Sequence, residues 1–195
     1  MKKIILVAAV AIFTISGLKA QERDAGDIEL TPYIGYSSAF FNGDEVEGLD
    51  SRNTVAFGVI GNYFFNDRWS LRSGLEYAPL GSAFGNSELK LDYLNIPINA
   101  NWHFGSTRKW HLNFGLTPGF LLSADADGVD VKDGVESFQL GVSYGIGYRI
   151  EVSDNFSVLI DGQGFFGVTN ILAEAEDFTR LNAGSTLSVG GVFKF

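Results

Sequence analysis

The sequence predicts an all-β fold, an eight-stranded antiparallel up-and-down transmembrane β-barrel with short periplasmic turns and longer extracellular loops. Three observations predict it. Apolar and polar residues alternate with period two through most of the chain. Glycine is abundant, at 24 of 195 residues, and collects with asparagine on the polar phase. The alternating segments reach the roughly 9–11 residues that a membrane-crossing strand needs.

The stretch Leu89–Ser123 carries this pattern most clearly. One phase holds Leu94, Ile96, Ile98, Ala100, Trp102 and Phe104, then Trp110, Leu112, Phe114, Leu116, Phe120 and Leu122. The other holds Asn95, Asn99, Asn101 and His103, then His111, Asn113, Gly115, Thr117, Gly119 and Ser123. The polar segment Gly105–Lys109 divides the two arms. Strict alternation on both sides of a short turn marks an antiparallel hairpin.

Taken in order, the chain opens with a predicted cleaved signal peptide over residues 1–20. Lys2 and Lys3 precede the apolar run Ile4–Ile15, and the small residue Ala20 precedes the expected cut. That run is shorter than the about 20 apolar residues of a spanning helix. The chain has no cysteine, so neither a lipid-anchoring thiol nor a disulfide is available. Loss of Lys2, Lys3 and Lys19 with the signal takes the formal charge from −9 to −12. Such an acidic chain does not suit nucleic acid, whose phosphates need Lys and Arg.

Residues 21–195 are expected to form the barrel domain. Its first strand, Asp27–Ala39, sets Ile28, Leu30, Ile34 and Tyr36 against Glu29, Thr31, Gly35 and Ser37. An acidic loop with Asp44, Glu45, Glu47 and Asp50 follows. The second strand, Thr54–Phe65, sets Val55, Phe57, Val59 and Tyr63 against Ala56, Gly58 and Asn62. Asn66-Asp67-Arg68 is a tight turn. The third strand starts at Trp69, and a looser segment around Gly81–Glu88 leads into the Leu89–Ser123 hairpin. A second acidic loop, Asp125–Glu136, precedes the sixth strand, Phe138–Val152, where Gly, Ser and Gln alternate with Leu, Val, Tyr and Ile. Ser153-Asp154-Asn155 turns into the seventh strand, Phe156–Val168. Thr169–Gly184 is the last long loop, with Glu174, Glu176 and Asp177, and Ser185–Phe195 closes the domain.

Long and short connections alternate in this reading, as in a barrel inserted from the periplasm. Aromatics beside the short turns (Tyr63, Phe65, Trp69, Trp102, Phe104, Trp110, Tyr148 and Phe156) predict a girdle at one headgroup level. The apolar phase is expected to face lipid, because the polar phase has too few lysines for a water-facing exterior. Glu29, Glu76, Glu151 and Asp161 should then pair inside with Arg72, Arg149 and Lys194, since unpaired buried charge is costly. Pro97 and Pro118 lack the N–H that a ladder needs, so breaks or bulges are expected at both.

Tyr93-Leu94-Asn95-Ile96-Pro97-Ile98, the pair Phe104-Gly105, and Phe114-Gly115-Leu116-Thr117-Pro118-Gly119-Phe120-Leu121-Leu122-Ser123 resemble the central signature of the PorT-type outer-membrane β-barrel domain family. The resemblance extends more loosely over Gln21–Phe195. It implies a multi-pass barrel in the cell outer membrane of a Gram-negative envelope, and it implies no single activity. The founding member takes part in protein secretion, a role for which no motif is present. The terminal Phe195 resembles the signal by which such barrels reach the outer-membrane assembly machinery.

Three features could carry chemistry. His103 and His111 share the polar phase and flank one turn, as a metal pair or acid–base site would. With no cysteine and no carboxylate in the motif, they read better as polar residues at the periplasmic mouth. Asp125–Glu136 has acids at positions 1, 3, 9 and 12 of a calcium loop. It carries Val129 at position 5 and Asp130 where position 6 requires Gly, and reads as a solvated acidic loop. The remaining loop acids could bridge to lipopolysaccharide through divalent ions. No catalytic, cofactor-binding or metal-ligating residue is assigned. The expected protein is a non-enzymatic, monomeric outer-membrane barrel with an envelope-structural or surface-interaction role, its partners being membrane lipid and lipopolysaccharide. A small passive pore is the alternative.

Overall fold

A computed structural model describes residues 23–173 and 177–195. The expected signal segment, and Glu174 and Glu176 of the last loop, lie outside the described residues. The strands are β1 (Ile28–Gly43), β2 (Asp50–Phe64), β3 (Trp69–Phe84), β4 (Ser87–Asn95), β5 (Ile98–Phe104), β6 (Trp110–Ala126), β7 (Val129–Asp130), β8 (Phe138–Ser153), β9 (Phe156–Gly167) and β10 (Arg180–Lys194). Antiparallel ladders connect them in one closed ring. It shuts where β10 meets β1, from Glu29 opposite Lys194 to Gly43 opposite Arg180. β4 and β5 are two halves of one wall strand, and β7 only prolongs the β6 hairpin. Eight wall strands result.

The alternation resolves as predicted. Ile34, Phe57, Leu75, Phe114, Tyr144 and Leu187 point outward and are more than half exposed, whereas Glu29, Asn62, Arg72, Asn99, Gln139 and Asp161 point inward and are buried. An apolar outer band of this extent needs lipid to cover it. Around the periplasmic rim the rings touch in series. Trp69 meets Trp102, Trp102 meets Phe104, Phe104 meets Trp110, and Trp110 meets Tyr148, at centroid separations of 6.3, 5.1, 6.3 and 4.7 Å. Neighbouring strands place them side by side because Trp69↔Trp102, Phe104↔Trp110 and Trp110↔Tyr148 are cross-strand partners.

Three expectations need correction. The strands run further outward than the alternation indicated, with 16 residues in β1 and 17 in β6. Past the bilayer the outward face meets water and the inward face is apolar, so the ladder continues without the pattern that revealed it. The connection expected to be long at Gly81–Glu88 is a two-residue turn, Gly85-Asn86, because β3 and β4 stay paired to Phe84↔Ser87. Ser123 does not face the lumen. Leu122 is the extra residue between Asp92↔Ser123 and Tyr93↔Leu121, so the phase of β6 reverses beyond it and Ala124 is buried in place of Ser123. The breaks expected at the two prolines are present: Pro97 interrupts its strand, and Pro118, though in register with β8, is unpaired on its other side between Asn95↔Gly119 and Ile98↔Leu116. The Ile96 N–H donates to the Pro118 carbonyl at 2.9 Å, so the donor missing at Pro118 falls on the same interruption as Pro97. One gap absorbs both.

Candidate functional site in the barrel interior

The interior is packed in layers, each built by residues that share a row across the strands. At the periplasmic end Arg23, from the chain before β1, is folded into the mouth. Its Nε donates to Glu29 at 3.2 Å, one amino group lies 3.3 Å from His103 Nδ1 and donates to the Arg108 carbonyl at 3.2 Å, and its guanidinium lies over the Phe64 ring. Glu29 also receives both amino groups of Arg149. Lys109 pairs with Glu151 at 3.2 Å beside them. On the outer edge of this end Lys194 pairs with Asp27 at 2.7 Å, holding the Asp27 carboxyl below its usual range. Lys194 thus pairs at the rim, not inside the lumen as expected.

The next layer joins His103, His111, Gly147 and Asp161, which are successive cross-strand partners on β5, β6, β8 and β9. His111 Nε2 lies 3.2 Å from Asp161 Oδ1, and Arg72 donates to Asp161 Oδ2 at 2.8 Å. The His111 ring crosses Gly147 to reach Asp161, where an added Cβ would stand 2.3 Å from His111 Cε1. The same device recurs along β8, with Gln163 lying over Gly145 and Phe165 over Gly141. It explains why this strand is rich in glycine on its inward phase. Each absent side chain makes room for a larger one from a neighbouring strand. Asn99, Asn113, Thr117 and Ser143 continue the network with bonds of 2.7 to 2.9 Å.

Above this lies a small chamber of about 60 Å³ lined by Tyr33, Arg72, Glu76, Asn95, Gln163 and apolar carbons of Ala78 and Leu80, among others. Tyr33 and Glu76 face each other across it. The outermost layer is apolar. Ala39, Phe41, Leu80, Leu91, Tyr93, Leu121 and Ala124 point inward and meet Ile171, which the β9–β10 connection delivers into the barrel. Ile171 is 1% exposed. Its neighbour Leu172 bridges to Val135 of the facing loop, and Asp44 binds Thr179 through two backbone-linked hydrogen bonds. The polar phase therefore does not fill the lumen throughout. In β4 and at the ends of β3 and β6 the inward set is apolar, and alternation alone does not distinguish such a set from a lipid-facing one.

His103 and His111 come together, at a ring separation of 5.9 Å. They are buried one layer inside the mouth, not at an open entrance. The motif itself holds no carboxylate, but one stands close in space: Asp161, fifty positions along the chain from His111. His103 Nε2 lies 3.1 Å from Ser70 Oγ, yet its other nitrogen faces Arg23. A hydroxyl nucleophile needs an imidazole oriented by an acid, and a guanidinium in that place opposes the protonated ring. The arrangement suits structure better than catalysis.

The Asp125–Glu136 loop folds as the β6–β7 hairpin and a 3₁₀ turn, Lys132–Gly134. Its carboxylates are used by amides of the chain itself. Asp125 accepts from Gly128, Asp127 from Glu88, and Asp130 from Lys132, at 2.9 to 3.0 Å. Among the described residues no three acidic or histidine side chains are placed to share a metal ion.

Comparison with known proteins matches this geometry. A family model described as "Outer membrane protein beta-barrel domain" matches residues 19–173. No curated protein matches the chain significantly. Among solved structures, the outer membrane protein OprG from Pseudomonas aeruginosa superposes with a TM-score of 0.56 at 13% identity, covering 91% of this chain and 99% of that one. Neisserial surface protein A gives 0.52 at 17% identity, covering 87% and 99%. The outer membrane protein AlkL in DMPC lipid bilayers gives 0.52 at 12% identity, covering 91% and 94%. At such identities the likeness is one of fold.

Proposed function

The chain belongs to the outer membrane protein β-barrel domain family, and on that premise we propose that it is a non-enzymatic, non-conducting barrel serving envelope structure or surface interaction. Its place is the outer membrane, which it crosses as a multi-pass barrel. The single observation behind the proposed role is the filled lumen. Charged residues and Arg23 occupy the periplasmic end, hydrogen-bonded amides the middle, and the Ile171 plug the outer end. Eight strands enclose an interior that side chains can fill, and here they do.

Within the family the proposal includes the PorT-type affinity of Tyr93–Ile98 and Phe114–Ser123. It also includes a monomeric barrel in contact with lipopolysaccharide, assembled through the terminal strand that ends at Phe195. A role as an accessory in protein secretion would act through the outer loops, since the lumen offers no passage. Planar bilayers containing the folded chain test the reading. Silence at moderate voltage is the expected result. A steady open conductance would replace it with the passive pore.

A further inference from the structure

The longest break in the β2–β3 ladder lies near the outer end of the wall. β2 and β3 pair at Asp50↔Ala83 and Ser51↔Ser82, then not again until Phe57↔Tyr77, with a register shift between. Five residues of β2, 52 to 56, thus face four of β3, 78 to 81. Side chains bond to the backbone at this stretch. Arg52 donates to the Leu80 carbonyl at 2.6 Å, and Asn53 to that of Ser51 at 3.3 Å. The same Arg52 amino group reaches Asp92 on β4 at 3.1 Å, spanning β3 like a strap. Just inward, β3 is released on its other side as well, because Pro97 leaves Gly74 and Leu75 without partners between Ser73↔Ile98 and Glu76↔Asn95.

The chamber lies behind this seam. Ala56 on one lip and Tyr77, Ala78 and Leu80 on the other belong to its lining. Tyr77 stacks on the outward Phe57 at 4.9 Å, so the lining continues onto the lipid face. An apolar band about 25 Å tall, measured from the periplasmic girdle, spans about ten tilted residues. The seam therefore lies at the level of the outer leaflet. At the chamber's inner side Asn95 is 3% exposed, and its Oδ1 is a buried acceptor with no hydrogen-bond partner.

We propose that the β2–β3 seam admits a small amphiphile from the bilayer, a long-chain alcohol whose hydroxyl enters the chamber and donates to Asn95 Oδ1. Its chain lies in the seam against Ala56, Tyr77 and Phe57. Three features select this class. The approach is through lipid, so the ligand must partition there. The chamber, at about 60 Å³, holds a head and not a chain. The waiting group is an acceptor, so the head must donate. Arg52 with Asp92 is the strap that must swing aside.

The inference depends on the barrel's place in the membrane and goes beyond the role proposed above. Its test uses the full chain folded in liposomes, with folding checked by gel mobility before boiling. Two diazirine probes are compared, dodecanol and a phosphatidylethanolamine labelled in its acyl chain, and adducts are mapped by mass spectrometry. Dodecanol should label the inward Ala56, Ala78 and Leu80, and excess plain dodecanol should reduce that at least tenfold. Asn95→Leu should abolish the inward adducts while leaving those on Val55 and Leu75. Arg52→Ala should raise inward labelling several-fold. If it does not fold, the Asn95→Leu comparison decides alone. Adducts confined to Val55, Phe57 and Leu75, or inward adducts insensitive to Asn95→Leu, would overturn the site. Inward labelling by the phospholipid probe alone would overturn the alcohol and assign the seam to a lipid chain. None of these readouts depends on conductance, so the two proposals fail separately.

Discussion

Gly147 has no side chain, and the middle of the lumen is arranged on that absence. With an added Cβ only 2.3 Å from His111 Cε1, Gly147→Ala must push the ring off Asp161 or move a wall strand. Overpacking of this kind costs about 1–3 kcal/mol, to be read from urea unfolding in micelles. The Arg72–Asp161 pair, with both side chains buried, makes a sharper case. Removing one partner leaves an uncompensated charge, which costs about 3–5 kcal/mol. Arg72→Met or Asp161→Leu alone should therefore unfold at much lower urea than the double variant. Equal losses in all three would show the pair to be solvated. The sequence placed these charges on one face. It could not choose partners, and Glu29 ended with Arg149 and Arg23 while Glu76 met Tyr33.

The elements that close the barrel are a loop and a terminal strand. The β9–β10 connection delivers Ile171 to the apolar layer, so Ile171→Ala removes buried carbons from a packed site. About 2–5 kcal/mol of stability should be lost, again by urea unfolding, with the outward girdle unaffected. A change below half a unit would mean that the loop floats over the mouth. Closure of β10 on β1 is fastened by Lys194 and Asp27. The Lys194 hydrogen bond lowers the Asp27 carboxyl, so the folded state takes up its proton less readily than the unfolded one. The contribution is complete above the unfolded carboxylate value of about 3.9 and fades as pH falls through the lower folded value. Asp27→Asn should thus destabilise the barrel at pH 7 and be indistinguishable from the parent chain in strong acid. A difference that persists there would assign the effect to packing.

At the scale of the whole molecule, the ring has no free edge, and the outward face is apolar over the height of a bilayer. A closed ladder of this kind resists detergent, so the folded chain should run faster on a gel before boiling than after. It should also fractionate with outer membranes. Recovery as a soluble periplasmic protein would contradict the fold's orientation. The direction of the faces, the eight strands, the girdle and the compartment were legible because period two is imposed residue by residue wherever one side meets lipid. Tip lengths were not legible, because beyond the bilayer that pressure ends. Nor was the β2–β3 seam, since it is a break in the mutual register of two strands, which neither strand carries alone.

Sequence alone determined which side chains face in and which face out, since a strand's alternation is local and lipid tolerates only one phase. Tertiary structure decided what the inward ones became. His111 found Asp161 across Gly147, Arg23 closed one end, and Ile171 closed the other. Each of these joins residues far apart in the chain, brought level by strand tilt and stagger around the ring. Such pairings depend on register between strands, which no single strand carries.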